Sequence, residues 1–355
     1  MSHDEPMTLY PQASYVRALR PSLDPTMFAP ARSRIARIPL HLAIITMSTL
    51  AIALGWVPWP VAALLSLVIG LSFAGLAFIA HEALHGGIVR GKRAKHIVGW
   101  IGWLPFVLSP RLWVAWHDQI HHANVNQVGE DPDLYPMLDE YNANRRIRFF
   151  INWFSLGGRR WRGALSLIMG FTVQSAHQLI VAHKRGFLSR KQHWFALGET
   201  ALGIAVWATI AALIGFVPFV FAFVVPIVVA NVIIMSFILT NHCLSPLTSI
   251  NDPLASGLSV RNPRWIEWIT MGFGYHVEHH LFPAMSSRHA PAVRTLLVAR
   301  WPERYKSMVH WRAVRELHRT ARVYKDAMTL IDPRTGYEYP TLSPGRATEP
   351  TLEAA

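Results

Sequence analysis

The chain has 355 residues, 52% of them hydrophobic and only 15% charged, with a mean hydropathy of +0.24; this is too apolar for an ordinary soluble domain and points to membrane spans. Its single cysteine, Cys243, excludes an internal disulfide framework and a cysteine-based zinc or iron–sulfur site. In so apolar a chain, a formal charge of +13 points to anionic lipid and an acidic partner and not to nucleic acid.

Residues 1–30 are polar and proline-bearing, so they are expected to be loose or to lie on the surface. They have no apolar core near their start and do not read as a signal peptide. Arg32, Arg34 and Arg37 precede an apolar run over residues 38–57, and the uncharged turn Trp56-Val57-Pro58-Trp59-Pro60 leads into a second, 61–82. As an α-helix, Val61 to His85 would extend about 37 Å against a hydrocarbon core of about 30 Å, which carries His81 and His85 to the membrane surface. The Trp-rich stretch 97–116 is broken by Pro105 and Pro110 and reads as a re-entrant or interfacial segment. Between Arg145 and Arg162 arginines alternate with Phe149, Phe150, Trp153 and Trp161, a pattern suited to the headgroup layer. Residues 163–183 carry Gln174, His177 and Gln178 and are expected to be embedded without crossing. Two clean runs follow, about 195–216 and 219–241. The remainder is polar and basic, expected to be helical over Arg288–Arg300 and His310–Leu330 and to fray after Pro333.

Charge orients these pieces. The turns at 56–60 and 217–218 are uncharged, whereas 82–195 holds 15 Lys/Arg against 7 Asp/Glu. The positive-inside rule then places both termini and the middle segment in the cytoplasm. The expected fold is an all-α polytopic membrane protein with four transmembrane helices in two hairpins and a cytoplasmic helical cap. Residues 1–37 would form an N-terminal surface segment, 38–290 the membrane domain with 83–194 as its insert, and 291–355 C-terminal helices and tail.

Three histidine-rich boxes end on that one face: His81 and His85; His117, His121 and His122; His276, His279 and His280. His242, at the end of the fourth run, is a ninth candidate. Residues four apart share a helix face and can grip one ion, as His81/His85, His117/His121 and His276/His280 would. The adjacent doublets His121-His122 and His279-His280 diverge by about 100°, so they suggest two ions side by side. Imidazole suits iron, zinc and copper alike. Glu82, Asp118, Asp131, Asp133 and Glu278 are placed to orient the imidazoles from behind, or else to cap helices and form turns. His-Glu-x-x-His alone is also a zinc-protease signal with Glu82 as base, but that reading leaves two boxes unused. A metal transporter would hold its ionisable groups near the bilayer midplane and not at span ends.

With its three ordered boxes and the texts HHANVNQVGEDPDLYP (residues 121–136) and GYHVEHHLFP (residues 274–283), the chain resembles the membrane fatty acid desaturase superfamily over about residues 38–290. The resemblance implies a four-span stem and a cytoplasmic cap holding two irons, with all nine histidines as ligands. It implies O2 as co-substrate, a lipid or acyl substrate, and electrons from a separate ferredoxin- or cytochrome b5-like donor on the basic face, since no His-Pro-Gly-Gly haem text is present. The second box, H-x-x-x-H-H, departs from the H-x-x-H-H of many members, while the first looks like that of acyl-lipid desaturases. Hydroxylases and ketolases acting on fatty acids, carotenoids or sphingolipids share these boxes, so the product stays open.

Overall fold

The computed structural model describes residues 8–342. Helix α1 (Gln12–Leu19) leads through short 3-10 turns to α2 (Arg37–Ala53), which forms a hairpin with α3 (Trp59–His85). Pro60 sits in the first turn of α3, where its missing N–H costs nothing. Gly86, at φ 100°, ends it in the left-handed region directly after His85. Helix α4 (Lys92–Trp103) packs along α3, and a Cβ on Gly102 would lie 2.5 Å from the Leu76 carbonyl oxygen, so glycine is what permits this approach. Helix α5 (Pro110–Trp113) continues as π-helical turns over Val114–His121. The chain bends by 101° between this element and α4, where Pro105 and Pro110 sit.

Then come α6 (Leu138–Ala143), α7 (Arg145–Phe154), α8 (Ala164–Val181), α9 (Arg190–Ile214) and α10 (Phe216–Phe219). A π-turn over Val220–Val224 joins α10 to α11 (Val225–His242). The rest holds α12 (Pro253–Ser256), α13 (Arg264–Ile269), α14 (His276–Leu281), α15 (Ala290–Arg300) and α16 (His310–Arg319). Among the described residues five helical stretches are long and apolar enough to cross a membrane: Pro25–Ala53, Trp59–His85, Trp161–Val181, Arg190–Ile214 and Phe216–His242. Four of these overlap the expected runs, and the fifth, Trp161–Val181, contains α8. The main core lies where α3 packs against α4 and α11, and α11 against α8, with Ile69, Phe73, Leu76, Ile79 and Phe237 at its centre.

The fold is mostly helical but not all-α. Strand β1 (Ser259–Arg261) pairs in parallel with β2 (Ser307–Val309). Strands β3 (Val323–Asp326), β4 (Thr329–Ile331) and β5 (Glu338–Pro340) form an antiparallel sheet. The helix expected over His310–Leu330 therefore stops at Arg319. The β-branched Val323, Thr329 and Ile331 favour extended chain, and Asp326 accepts from the Met328 N–H in the turn between strands. The fraying expected after Pro333 is corrected as far as Leu342: β5 closes the sheet and Thr341 N–H donates to the Met328 carbonyl. The N-terminal segment is also more fixed than its composition implies. Tyr15 and Leu19 on α1 are buried among Leu254, Val277, Leu281 and Leu297. Residues 1–7 and 343–355 lie outside the described residues.

Candidate metal centre

All nine box and span-end histidines meet at one place. One ring nitrogen from each of His81, His85, His117, His122 and His279 lies within 4.8 Å of the others, as does one from each of His121, His242 and His280. His276 joins the second group, its Nε2 being 2.5 Å from Nε2 of His242 and its ring 4.4 Å from that of His280. Both adjacent doublets are split: His122 and His279 face the first group, His121 and His280 the second. The groups touch through the stacked rings of His122 and His280, 4.1 Å apart.

Local winding explains the sorting. Along α3 the regular α-helix puts His81 and His85 on one face. In the π-turns the bonding shifts to i→i+5, with His122 N–H donating to the His117 carbonyl at 3.1 Å. His117 therefore shares a group with His122, five residues on, and it also meets His121 and Asp133 in a third set of nearby donor atoms, so the pairing of His117 with His121 expected from spacing is present as well. Helix α11 ends at His242 and delivers it to the second group.

Three carboxylates lie behind the imidazoles. His85 Nδ1 is 2.7 Å from Asp118, and His121 Nδ1 is 2.9 Å from Asp131 and 3.6 Å from Asp133. His242 Nδ1 donates to the Ser256 carbonyl at 3.1 Å. An Nδ1–H held in this way leaves Nε2 bare and aimed inward. Asp133 also accepts from Trp116 Nε1 and Gln174 Nε2, both at 2.7 Å. Glu82 and Glu278 engage other partners. Glu82 accepts from Arg34, Ser286 and Ser287, tying the first box to the chain just after the third. Glu278 accepts from Ser259 and Tyr305, and its burial raises its pKa. Both brace the backbone that carries histidines.

Several residues that no spacing rule marks complete the site. Trp113 packs edge-on against His81 and His85 and tilted against His117. Gln12 donates to the His280 carbonyl at 2.5 Å and Asn251 to that of His122 at 2.8 Å. Gln12 and Asn251 lie outside every box in sequence, so no local signal marks these contacts. His193, outside every box, instead lies beside His183, the two rings tilted and 6.0 Å apart.

The donor set suits metal. Nε2 of His85, Nδ1 of His122 and both nitrogens of His280 are buried without a hydrogen-bond partner. Nitrogens also face nitrogens, 3.2 Å apart for His81/His117 and 3.3 Å for His122/His279. Burial holds His276, His279 and His280 well below their ordinary pKa, so they are neutral donors. His81, His117, His121, His242 and His276 also line a cavity of about 1200 Å³, with Ala77, Phe78, Trp103, Phe171 and Met235 among its apolar walls.

Residues 54–312 match the fatty acid desaturase family. Among similar proteins, the chloroplastic omega-6 fatty acid desaturase of Spinacia oleracea is 24% identical over 278 residues, 75% of this chain and 60% of the relative. The sn-1 oleoyl-lipid 12-desaturase of Synechocystis sp. is 21% identical over 316 residues, covering 83% and 84%. A Delta(5) fatty acid desaturase of Caenorhabditis elegans is 24% identical over 262 residues, covering 65% and 56%. The chain thus spans less than two thirds of the length of some of these relatives.

Proposed function

Because this chain belongs to the fatty acid desaturase family, we propose that it is a membrane-bound, O2-dependent desaturase that introduces a C=C bond into an acyl chain. The observation that carries this reading is the apolar cavity of about 1200 Å³ opening directly onto both imidazole groups. Two iron ions held by the nine histidines would supply the oxidative removal of two hydrogens from neighbouring carbons, with electrons from a separate ferredoxin- or cytochrome b5-like donor.

The chain's own work is binding, orientation and exclusion of water. Phe78, Trp103, Trp116 and Phe171 form an apolar path for an extended chain, and Trp113 closes the wall beside His81 and His85. Asp118, Asp131 and the Ser256 carbonyl fix the tautomers of His85, His121 and His242. Glu82, enclosed by Arg34, Ser286 and Ser287, is engaged as a brace, which speaks against its use as the base of a zinc protease.

The apolar helices make this an integral membrane protein, and we place four crossings, as α2/α3 and α9/α11, with the metal centre and both termini cytoplasmic. Support comes from the ends of α8. Its leading loop bonds to the cap, Gly158 N–H to the Thr320 carbonyl and Arg159 N–H to that of His318. It ends before α9, which begins on the same side as the end of α11. This favours reading α8 as embedded without crossing, with both its ends toward the metal side.

Expression in a host of known lipid content, followed by mass spectrometry of its acyl chains, tests the reaction. The expected result is loss of two hydrogens from an acyl chain. A gain of one oxygen instead would assign a hydroxylase or ketolase, and no change would remove the enzymatic reading.

A further inference from the structure

The two histidines that join the imidazole groups are held differently from their neighbours. The rings of His85, His121 and His242 are each fixed from behind at Nδ1, by Asp118, Asp131 and the Ser256 carbonyl. His122 and His280, whose stacked rings make the junction, have no such support. Nδ1 of His122 and both ring nitrogens of His280 are buried without a hydrogen-bond partner. Their backbones are fixed instead. His122 directly follows the π-turns and His280 stands in the last turn of α14, so their carbonyls fall among those that a helix end leaves unpaired. Asn251 Nδ2 donates to the first at 2.8 Å and Gln12 Nε2 to the second at 2.5 Å. The two amides are also tied to each other: Asn251 Nδ2 donates to Gln12 Oε1 at 3.3 Å, and Gln12 N–H to the Asn251 carbonyl at 2.8 Å.

Gln12 stands in a segment fastened on both sides. Before it, Tyr10 N–H donates to Asp252 at 2.8 Å and the Thr8 carbonyl accepts from Arg304 at 2.9 Å. After it, the Tyr15 hydroxyl donates to Asp252 at 3.2 Å, and Tyr15 and Leu19 are buried with Val277 and Leu281 of α14. Asp252 is itself buried and paired with Arg304. From this arrangement we infer that Gln12 and Asn251 are positioning residues of the metal centre, a linked pair of amides through which an N-terminal strap fixes the His122/His280 junction between the two groups. The inference rests on the metal-centre reading and adds to it a part that lies outside residues 54–312, the stretch that matches the family. A side chain that only packs can be replaced by an apolar one of similar size. A donor to a buried carbonyl cannot, because the carbonyl is then left unsatisfied.

Cobalt(II) is the probe for the test, because its visible absorption reports ligand geometry without turnover. Full-length wild type should take up cobalt in both imidazole groups. Gln12→Met and Asn251→Leu should each alter the visible band of the bound cobalt and weaken its retention against a chelator by about tenfold. The double variant should do little more than either single one, as a linked pair requires. Arg300→Gln is the packing control: Arg300 holds the far end of the strap through the Ala18 carbonyl and Ser22. Its loss should lower the melting temperature of the metal-free protein and leave the cobalt spectrum unchanged. Wild-type spectrum and retention in either Gln12→Met or Asn251→Leu, or a spectral change in Arg300→Gln as large as theirs, would overturn the assignment alone. Wild type that takes up no cobalt would remove the metal centre and this assignment together, so the two failures are distinct.

Discussion

The two imidazole groups are built to different standards of enclosure. The first, around His81, His85, His117, His122 and His279, is braced by Asp118, whose side chain is 30% exposed. The second, around His121, His242, His276 and His280, is braced by Asp131, whose side chain is 1% exposed, with Asp133 behind it. Water can stand in for Asp118 if it is lost. Nothing can replace Asp131, because its other oxygen also accepts from the Asn126 N–H inside the protein. The comparison teaches that equivalent imidazoles need not have equivalent support: the second group depends on its protein shell, the first partly on solvent.

The largest effects should come from the ligands themselves. Both His85→Ala and His242→Ala should abolish turnover, each lowering bound iron from about two per chain to about one while the fold and membrane insertion persist. His193→Ala, outside both groups, should be nearly silent. If His242→Ala kept full iron and normal turnover, the second group would rest on three histidines and the comparison would collapse.

The carboxylates come next and separate the groups directly. Asp131→Asn should weaken metal retention by roughly 10–100-fold, the usual cost of losing a ligand's orienting partner. Asp118→Asn should cost clearly less, because a water molecule can accept from His85 Nδ1 at this partly exposed site. Chelator titrations of the two variants read the difference, and equal losses would remove the contrast in enclosure.

The smallest effect concerns winding. The H-x-x-x-H-H box has one residue more than the H-x-x-H-H of many relatives, and the π-turns accommodate it: positions four and five along a π-helix fall roughly where three and four fall on an α-helix. Deleting the exposed Gln119 should let this segment rewind as α-helix with its histidines still in place. Iron content should change little, whereas inserting one residue between His81 and His85 of the regular α3 should empty the first group. Complete loss of iron on deleting Gln119 would show that the π-turn is needed for itself.

These contrasts also mark what the sequence could reveal. Apolar runs and four-residue spacings depend on local periodicity, so α2, α3, α9, α11 and the convergence of the boxes, His242 included, were legible. The approach of His117 to His122 was not, because the π-turns change the winding and the spacing rule assumes an α-helix. Asp131-Pro132-Asp133 reads equally well as a turn, and only the fold brings it against His121. Glu82 illustrates the reverse: it sits between ligands in sequence, yet its carboxylate turns to Arg34, Ser286 and Ser287, a choice made by distant chain. The strands β3 to β5 and the burial of Tyr15 and Leu19 are likewise set by long-range packing that no short window records.

The most direct test of the whole account is the metal itself. Protein purified from iron-supplemented cells and analysed by elemental mass spectrometry should hold close to two irons per chain, with Mössbauer spectra showing two coupled sites. One tightly held zinc per chain, with no iron taken up on reconstitution, would contradict it.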